Sequence, residues 1–377
     1  MTRRKILLVV NPVAGLGGPL ALKGTDEETG RKLLLRGAES VSYTRARLFL
    51  RTLKRLEPGI EIITGRYMGY ELSLEEGFRS VNVYNPPEWP TRSSDTLKLV
   101  ERGLRENPDI VVFVGGDGTA RLVADALRSH GASIPMLGVP AGVKMYSSVY
   151  AVNPQAAALA LVEYLSGKAG LCDAEIMDID EDAFRRGRLS ARLYAIVKSI
   201  CSRHMVGSSK QPSPSTLEEE ENKLAIARYV VENFVKECTL LVLGPGTTVA
   251  AIARVLNTPK TLLGVDVYHG SHPLELDVDE AKLYSLVASH KGRKLLIVTP
   301  IGGQGFILGR GNQQISPRVL KLFNLDEELL IIATRSKMRQ LRNRLRVDTG
   351  DEEVDKRLRG YRKVLVDYNE FIVARIE

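Results

Sequence analysis

Short apolar runs alternate with segments of helical period along most of the chain. Uninterrupted runs at 5–10, 110–114 and 135–140 are typical of strands that are buried on both faces of a parallel sheet. Apolar residues recur at helical spacing in 91–104 and 120–130. This alternation of strands and helices predicts an α/β fold whose N-terminal domain contains a Rossmann-like parallel sheet.

The second half of the chain repeats the alternation. Strands are predicted at 238–243, 261–266, 294–300 and 329–334, and helices at 249–256 and 279–290. Two further strands are predicted between the halves, at 174–180 and 191–200. The pattern therefore predicts a second, mixed α/β domain that also contains parallel strand–helix units.

The length of 377 residues and the hydrophobic content of 44% suffice for two domain cores. We predict a first domain at 1–165, a second at 166–350, and a C-terminal segment at 351–377 that packs back on the first domain. We expect the active site in the cleft between the two domains, at the ends of several strands.

Charge, cysteines and apolar runs narrow the range of partners. No run approaches the roughly 20 apolar residues of a membrane span, and no cleavable signal pattern is present, so we expect a cytoplasmic protein without a membrane partner. Cys172, Cys201 and Cys238 form no CxxC pair, which predicts unpaired thiols. Outside a basic run at 335–346, the formal charge of +8 is spread along the chain, so we predict no nucleic-acid partner.

The segment GGDGT at 115–119 joins the strand at 110–114 to a helix. Backbone N–H groups at a helix N-terminus bind anions, and glycine lets phosphate oxygens approach without meeting a Cβ atom. The Asp117 carboxylate repels phosphate but suits a group that accepts the proton of a substrate hydroxyl beside a bound triphosphate. The alternative is a tight turn with Asp117 or Thr119 as a helix cap, which does not require three glycines.

A second glycine-rich turn, GPGTT at 244–248, follows the predicted strand at 238–243. Gly244, Gly246 and Thr247 fit either a second phosphate or nucleotide cradle or the close packing of a strand against a helix. The sequence leaves both interpretations open.

The loop at 301–317 combines five glycines with a dense set of amide and guanidinium donors. Amide side chains such as Asn312 recognise heterocycle edges and hydroxyls, and a guanidinium such as Arg310 suits phosphate. A solvated surface loop is the alternative, but the apolar residues 306–308 in its middle favour substrate binding.

Three motifs in this order carry a family resemblance: NPVAG at 11–15, GGDGT at 115–119 and GVPAGVKM at 138–145. They resemble the superfamily of NAD kinases, diacylglycerol and sphingosine kinases, and phosphofructokinases, and most of all the archaeal and bacterial ATP-NAD kinase-like proteins. The longer pattern of those proteins includes GPGTT, LLGVD, the loop at 301–317 and LRVDTGD, so the resemblance covers most of the chain.

The resemblance implies an ATP-dependent NAD kinase that phosphorylates the 2′-hydroxyl of the adenosine ribose, with Mg²⁺ and with ATP or inorganic polyphosphate as donor. It implies that Asp117 activates the acceptor hydroxyl. The nucleotide-binding residues that follow from the resemblance and from the two further loops are Asn11, Gly15, Gly115, Gly116, Gly118, Thr119, Gly142, Lys144, Gly244, Gly246, Thr247, Arg310 and Asn312. The resemblance alone points to a homo-oligomer.

Two rival functions remain open at this point. One is a kinase of another small hydroxyl compound, such as a sugar, a nucleoside or a lipid, because GGDGT does not specify the acceptor. The other is a non-catalytic nucleotide-binding regulator. Asp117 argues against it, since nucleotide sensing requires no acid beside the phosphates.

One departure from the family pattern concerns the acceptor. The Asn-Glu pair that follows the GGDG helix in NAD kinases and helps to hold the acceptor dinucleotide is absent between 140 and 175.

Overall fold

The computed structural model describes residues 4–18, 20, 27–142, 145–179, 191–206, 217–301 and 304–377. Within these residues the chain forms two compact units. The first contains the described residues up to Gly17 and those from 27 to 206, and the second contains Gly18, Leu20 and those from 217 to 377.

The first unit is built on a five-stranded sheet in which all strands are parallel. Its strands are β1 (Lys5–Val10), β2 (Glu61–Gly65), β3 (Arg79–Tyr84), β4 (Ile110–Gly115) and β5 (Met136–Pro140). Their order is β3-β2-β1-β4-β5. This is the Rossmann-type arrangement in which the strand order reverses between β1 and β4, and ligands of such sheets bind outside the carboxyl ends of the strands at that point.

Helices cover both faces of this sheet, as the uninterrupted apolar strands predict. They are α1 (Glu27–Leu35), α2 (Val41–Leu56), α3 (Tyr70–Glu75), α4 (Ser93–Leu104), α5 (Asp117–Ser129) and α6 (Pro154–Leu165). Side chains of β1 alternate between the two faces of the sheet and so between two hydrophobic cores. Ile6 and Leu8 pack with α2 and α6, and Leu7 packs with α4 and α5.

A hairpin of β6 (Leu171–Ile179) and β7 (Ala191–Ile200) completes the first unit. The first compact unit thus extends beyond the predicted boundary at 165, because the hairpin packs on α5 through side-chain contacts such as Tyr194 to Asp125. Antiparallel pairing also brings Cys172 and Cys201 together in a disulfide with their Cα atoms 5.4 Å apart. The prediction of unpaired thiols is wrong for these two cysteines, whereas Cys238 is free and exposed.

The second unit contains a mixed nine-stranded sheet among its described residues. Its strands are β8 (Leu240–Leu243), β9 (Asp266–His269), β10 (His272–Glu275), β11 (Lys294–Val298), β12 (Phe306–Leu308), β13 (Leu329–Ile332), β14 (Arg344–Val347), β15 (Gly360–Asp367) and β16 (Glu370–Ile376). Their order is β10-β9-β8-β11-β13-β15-β16-β14-β12. The strands β8, β11, β13 and β15 are parallel, while β9 and β16 each run antiparallel to a neighbour.

Two predictions for this half need correction. The segment 261–266 was predicted as a strand, but β9 begins only at Asp266, whose carboxylate accepts hydrogen bonds from the Thr261 backbone and side chain and thereby closes a turn. The C-terminal segment from 351, predicted to pack back on the first domain, belongs to the second unit, where β15 and β16 pair with strands of the second sheet.

The helices of the second unit surround the parallel part of its sheet. They are α7 (Leu217–Phe234), α8 (Thr247–Leu256), α9 (Glu280–Ser289), α10 (Pro317–Leu320), α11 (Arg335–Gln340) and α12 (Glu352–Leu358). One face of β8 packs against α7 and α8, and the other face packs against α9. None of the helices described in either unit is both long and apolar enough to cross a membrane.

Candidate active site

The turns after β1 and β4 meet at the point where the strand order of the first unit reverses. β4 ends at Gly115 and α5 begins at Asp117, so only Gly116 separates the strand from the helix. The N–H group of Asn11 donates to the carbonyl of Val114 over 3.1 Å, which joins the two turns through their backbones. The N–H groups of the first turn of α5 therefore lie at the carboxyl edge of the sheet, where an anion is stabilised.

Asp117 is held at the start of α5 by a loop from elsewhere in the first unit. Its Oδ2 accepts a hydrogen bond from the N–H of Tyr146 over 2.6 Å, and its Oδ1 accepts one from the N–H of Ser147 over 3.2 Å. The residue is only 6% exposed. Burial and the nearby Asp117 carboxylate raise the pKa of Tyr146, so that phenol stays protonated. The carboxylate thus has one fixed orientation.

The loop that holds Asp117 is tied in turn to the β6–β7 hairpin. The hydroxyl of the fully buried Ser147 accepts a hydrogen bond from the N–H of Met177 over 2.9 Å, and the N–H of Ser148 donates to the carbonyl of Glu175 over the same distance. The hairpin therefore supports the loop that orients the carboxylate.

The glycines of the GGDGT turn differ in what surrounds them. A Cβ atom on Gly115 would lie 2.4 Å from Thr119 Oγ1, so this glycine serves the packing of the strand against the helix. A Cβ atom on Gly118 would meet nothing within 4 Å, and the residue is exposed. Packing therefore does not require glycine at 118. A ligand that approaches the backbone closely would require it, because a Cβ atom would occupy the space that the ligand needs.

The NPVAG turn is fixed by Asn11 and Gly15. Asn11 Nδ2 donates to Thr119 Oγ1 over 3.0 Å, and Asn11 Oδ1 accepts from the N–H of Val13 over 3.1 Å. Gly15 has φ +85°, and a Cβ atom there would lie 2.1 Å from the carbonyl oxygen of Ala141. Only glycine permits this conformation and this approach to the end of β5.

These turns enclose a cleft of about 430 Å³ within the first unit. Its described lining residues are Asn11, Val13, Ala14, Gly15, Glu27, Thr91, Ser93, Gly116, Asp117, Gly118, Thr119, Arg121, Leu122, Asp125, Gly142 and Tyr194. Seven of the predicted nucleotide-binding and catalytic residues are among them: Asn11, Gly15, Gly116, Asp117, Gly118, Thr119 and Gly142. Lys144 lies outside the residues that the structure describes.

Sequence reasoning missed the polar residues on the walls of this cleft. Arg121 and Asp125 follow Asp117 on α5 at intervals of four residues, and that helical spacing was a usable signal. Tyr194 comes from β7 and reaches the cleft only because the hairpin packs on α5, which no local pattern indicates.

The GPGTT turn has a packing role in the second unit. Gly246 has φ +120°, and a Cβ atom there would lie 2.6 Å from Thr299 Cγ2. A Cβ atom on Gly244 would lie 3.2 Å from the carbonyl oxygen of Ile297. Thr247 is exposed at the start of α8. The glycines are thus explained by packing, and the cradle interpretation stays a prediction.

In the 301–317 loop, the predicted donors point inward. Asn312 Nδ2 donates to the carbonyl of Ile307 over 2.8 Å, and its Oδ1 accepts from the N–H of Gly309 over 3.0 Å. The Arg310 guanidinium lies 4.0 Å from the centre of the Phe306 ring and forms an ion pair of 3.5 Å with Asp348. Arg310 and Asn312 are each 1% exposed. Neither side chain is part of a solvated surface loop.

The described residues contain no cluster of three or more histidine, cysteine, aspartate or glutamate side chains that would hold a metal ion by itself. Mg²⁺ does not need one, since it commonly binds one or two carboxylates together with substrate phosphates and water. Three carboxylates line the first-unit cleft, those of Glu27, Asp117 and Asp125. This donor set fits a magnesium ion that arrives with a phosphorylated substrate.

Comparison with protein families identifies the family of the chain. Residues 6–169 match the ATP-NAD kinase N-terminal domain, and residues 237–376 match the ATP-NAD kinase C-terminal domain. The chain belongs to the ATP-NAD kinase family. Its first matched segment carries every residue of the cleft except Tyr194. The resemblance noted in the sequence is thereby confirmed, and the protein is a kinase-type phosphotransferase by family. A comparison with curated proteins gave no match.

Proposed function

We propose that the protein transfers the terminal phosphoryl group of ATP, or of inorganic polyphosphate, to the 2′-hydroxyl of the adenosine ribose of NAD. The observation that carries this proposal is the Asp117 carboxylate, which two backbone N–H groups orient in a cleft at the N-terminus of α5. Membership of the ATP-NAD kinase family supplies the reaction class and supports NAD as acceptor.

The donor phosphates are assigned to the turn between β4 and α5. The N–H groups of the first helical turn and the helix dipole favour an anion there. The open space beside Gly118 gives phosphate oxygens access to the backbone. Gly15, Gly116 and Gly142 line the same cleft and add little side-chain bulk.

Asp117 is assigned as the group that takes the proton of the acceptor hydroxyl. The hydroxyl oxygen forms a bond to the terminal phosphorus while the bond from that phosphorus to the bridging oxygen breaks. The leaving ADP, or the shortened polyphosphate, keeps the bonding electron pair, and Asp117 releases its proton to solvent afterwards. Fixed orientation matters because a base must lie within hydrogen-bonding distance of the proton that it removes.

Charge balance in the cleft calls for added cations. The described lining has three carboxylates and one arginine, so a triphosphate would meet a net negative surface. Mg²⁺ bound to the donor phosphates, with a lining carboxylate as its protein ligand, would offset charge on the transferred group. Lys144 is proposed as a further cation on the basis of the family resemblance.

The second unit is proposed to contribute to acceptor or donor binding through Gly244, Gly246 and Thr247. Thr247 is exposed at the N-terminus of α8, a ten-residue helix, so its hydroxyl and the first N–H groups are accessible. Arg310 and Asn312 shape the neighbouring glycine-rich loop from within. Their predicted part in binding would therefore act through the conformation of that loop.

The test incubates the purified full-length protein with Mg²⁺, with ATP or polyphosphate, and with NAD. NADP is quantified with an NADP-specific dehydrogenase, and ³¹P NMR follows the donor. NADP formation is expected with at least one donor. A parallel panel of sugars, nucleosides and lipid alcohols addresses the other acceptors. Phosphorylation of a panel member without any NADP would refute NAD as acceptor while keeping the phosphotransferase. Phosphorylation of none would refute both.

A further inference from the structure

Arg121 is the one cationic residue among the described residues that line the first-unit cleft. The other ionised groups of this lining are the carboxylates of Glu27, Asp117 and Asp125. Among the described lining residues, most charged groups therefore repel an anionic donor that enters the cleft, and Arg121 attracts it.

Arg121 lies one helical turn after Asp117 on α5. Four residues correspond to about 6 Å along a helix axis, and residues at this spacing share a face. Long side chains on a helix lean towards its N-terminus. The guanidinium is thus placed beside the region in front of Gly116 and Gly118, where the donor phosphates are assigned.

The β6–β7 hairpin fixes the guanidinium from one side. Arg121 Nη1 donates to Asp178 Oδ1, and the Tyr194 ring centre lies 5.8 Å from the guanidinium carbon. Asp178 is itself anchored, because its Oδ2 accepts from Arg192 Nε over 3.2 Å and from Nη2 over 3.0 Å. A side chain held in this way loses less conformational entropy when it binds a ligand.

The contact with Asp178 uses only part of the donor capacity of Arg121. Within the described part of the chain, its Nε–H and Nη2–H groups donate to no other residue, and its side chain is 36% exposed. Neighbouring N–H groups of a guanidinium match two oxygens of one phosphate. The group is thus both oriented by the protein and open to the cleft.

We propose that Arg121 contacts the phosphate chain of the donor and is a protein cation that binds it in this cleft. The inference rests on the proposed function for the use of a phosphorylated donor, and it adds the residue that recognises it. Arg310, the sequence-predicted phosphate ligand, is 1% exposed and paired with Asp348, so its charge is already engaged within the second unit.

The competing explanation is that Arg121 merely anchors the hairpin to α5. Arg128 offers a matched control, because it lies on the same helix and its guanidinium carbon is 5.7 Å from the centre of the same Tyr194 ring. It also forms an ion pair of 3.2 Å with Asp125. Unlike Arg121, it is not among the residues that line the cleft.

The experiment measures binding of inorganic tripolyphosphate, ATP, NAD and adenosine to the full-length protein by calorimetry in the presence of Mg²⁺. Arg121→Ala is expected to raise the Kd of tripolyphosphate and of ATP by about tenfold or more, the effect of losing charge-assisted hydrogen bonds. Binding of adenosine should not change. Arg121→Lys should recover part of the loss, because a point charge cannot form the bidentate contact. Arg128→Ala should bind all four probes as the wild type does.

Thermal unfolding of each variant separates a lost contact from a damaged fold. If Arg121→Ala lowers Tm but binds tripolyphosphate and ATP normally, Arg121 only anchors the hairpin and the inference is refuted. If instead only NAD binding weakens, Arg121 serves the acceptor and the inference is again refuted. If the wild type binds neither tripolyphosphate nor ATP, the proposed function fails together with the inference. Binding by the wild type with equal binding by Arg121→Ala and Arg121→Lys refutes the inference alone.

Discussion

The Asn11 amide donates a hydrogen bond to the Thr119 hydroxyl over 3.0 Å. This bond joins the turn after β1 to the first turn of α5, across the two strands between which the sheet order reverses. Thr119 is 3% exposed, so the bond is largely protected from water. The relative position of these two turns, which both line the cleft, thus depends in part on a pair of side chains that lie far apart in the sequence.

Removal of the Thr119 hydroxyl tests that dependence. Thr119→Val keeps the shape of the side chain but leaves Asn11 Nδ2 without this acceptor. We expect the free energy of unfolding to fall by about 1 kcal/mol, the net contribution of one hydrogen bond, because the Asn11 amide is half-buried and borders the cleft. Urea denaturation followed by circular dichroism measures it.

The control for this variant is Thr52→Val. The Thr52 hydroxyl donates to the carbonyl of Leu48 within α2 over 2.9 Å, a local bond at a half-buried position. Its loss should change stability by a few tenths of a kcal/mol at most. Equal stability losses in the two variants would show that the Asn11–Thr119 bond contributes nothing beyond a generic threonine effect.

Asp117→Asn tests the proposed proton acceptor. The amide has nearly the size of the carboxylate but little basicity, so we expect kcat to fall by about 10² or more. The Kd for ATP should change little. Steady-state kinetics with each substrate varied at saturation of the other, together with calorimetry of ATP binding, measure both quantities.

Asp125→Asn is the matched control, because Asp125 also lines the cleft from α5. Asparagine at 117 has one accepting oxygen in place of two, so its NH₂ group faces the Tyr146 or the Ser147 N–H group without accepting from it, and Tm is therefore measured for each variant. Near-normal kcat in a folded Asp117→Asn protein would end its assignment as a base. Equal kcat losses at 117 and 125 would point to a general effect of cleft charge.

Gly118→Ala tests whether the glycine at 118 serves ligand binding or the stability of the fold. Its new Cβ atom would meet nothing within 4 Å, and alanine is the better helix former, so stability should stay constant or rise by up to about 1 kcal/mol. Donor binding should weaken, because the methyl group occupies the side from which phosphate approaches. Calorimetry with ATP and thermal unfolding give the two values.

Gly170→Ala controls for the substitution itself. Gly170 is exposed, and a Cβ atom there also meets nothing within 4 Å, but it does not line the cleft. Its ATP affinity should equal that of the wild type. Unchanged ATP affinity in Gly118→Ala as well would contradict the assignment of the phosphates to this turn.

The sequence sufficed for the strand, turn and helix around Asp117, because each is encoded locally. An uninterrupted β-branched run predicts β4, and the glycines and the apolar spacing after it predict α5. The polar groups that support the site were not predictable in this way. Asp178 contacts Arg121 from 57 positions away, and only the packing of the hairpin on α5 brings them together.

In the second unit, the sequence and the structure of the donor-rich loop at 301–317 indicate different roles for its side chains. The sequence of the 301–317 loop suggested side chains that face a substrate. The structure inserts the three-residue strand β12 into this loop, so that Asn312 and Arg310 turn inward to satisfy backbone and carboxylate groups. A short edge strand has no periodic signal of its own, and the sequence pattern could not distinguish the two roles.

The Cys172–Cys201 disulfide is expected to stabilise the first unit. In the chain-entropy model, a bridge between residues 29 positions apart contributes about 3.6 kcal/mol. Replacement of both cysteines by serine should therefore lower Tm, and a reducing agent should lower the Tm of the wild type in the same direction. Mass spectrometry of the unreduced protein checks for the bridge.

Cys238→Ser is the control, because Cys238 is free and exposed. Its Tm should equal that of the wild type with and without reductant. Two free thiols at 172 and 201 in the unreduced protein would contradict the bridge itself. An intact bridge whose reduction leaves Tm unchanged would contradict its contribution to stability.

Asn312→Ala distinguishes a structural amide from one that binds the acceptor. The side chain bonds Ile307 and Gly309 and is 1% exposed, so its loss should lower the free energy of unfolding by about 2 kcal/mol through the two unsatisfied backbone groups. Asn233→Ala, which removes an exposed amide that bonds the carbonyl of Tyr229 on α7, should cost a few tenths of a kcal/mol. Denaturant unfolding and the KM for NAD are measured on both variants. A KM that rises while stability stays constant would show that Asn312 contacts the acceptor and does not simply close its own loop.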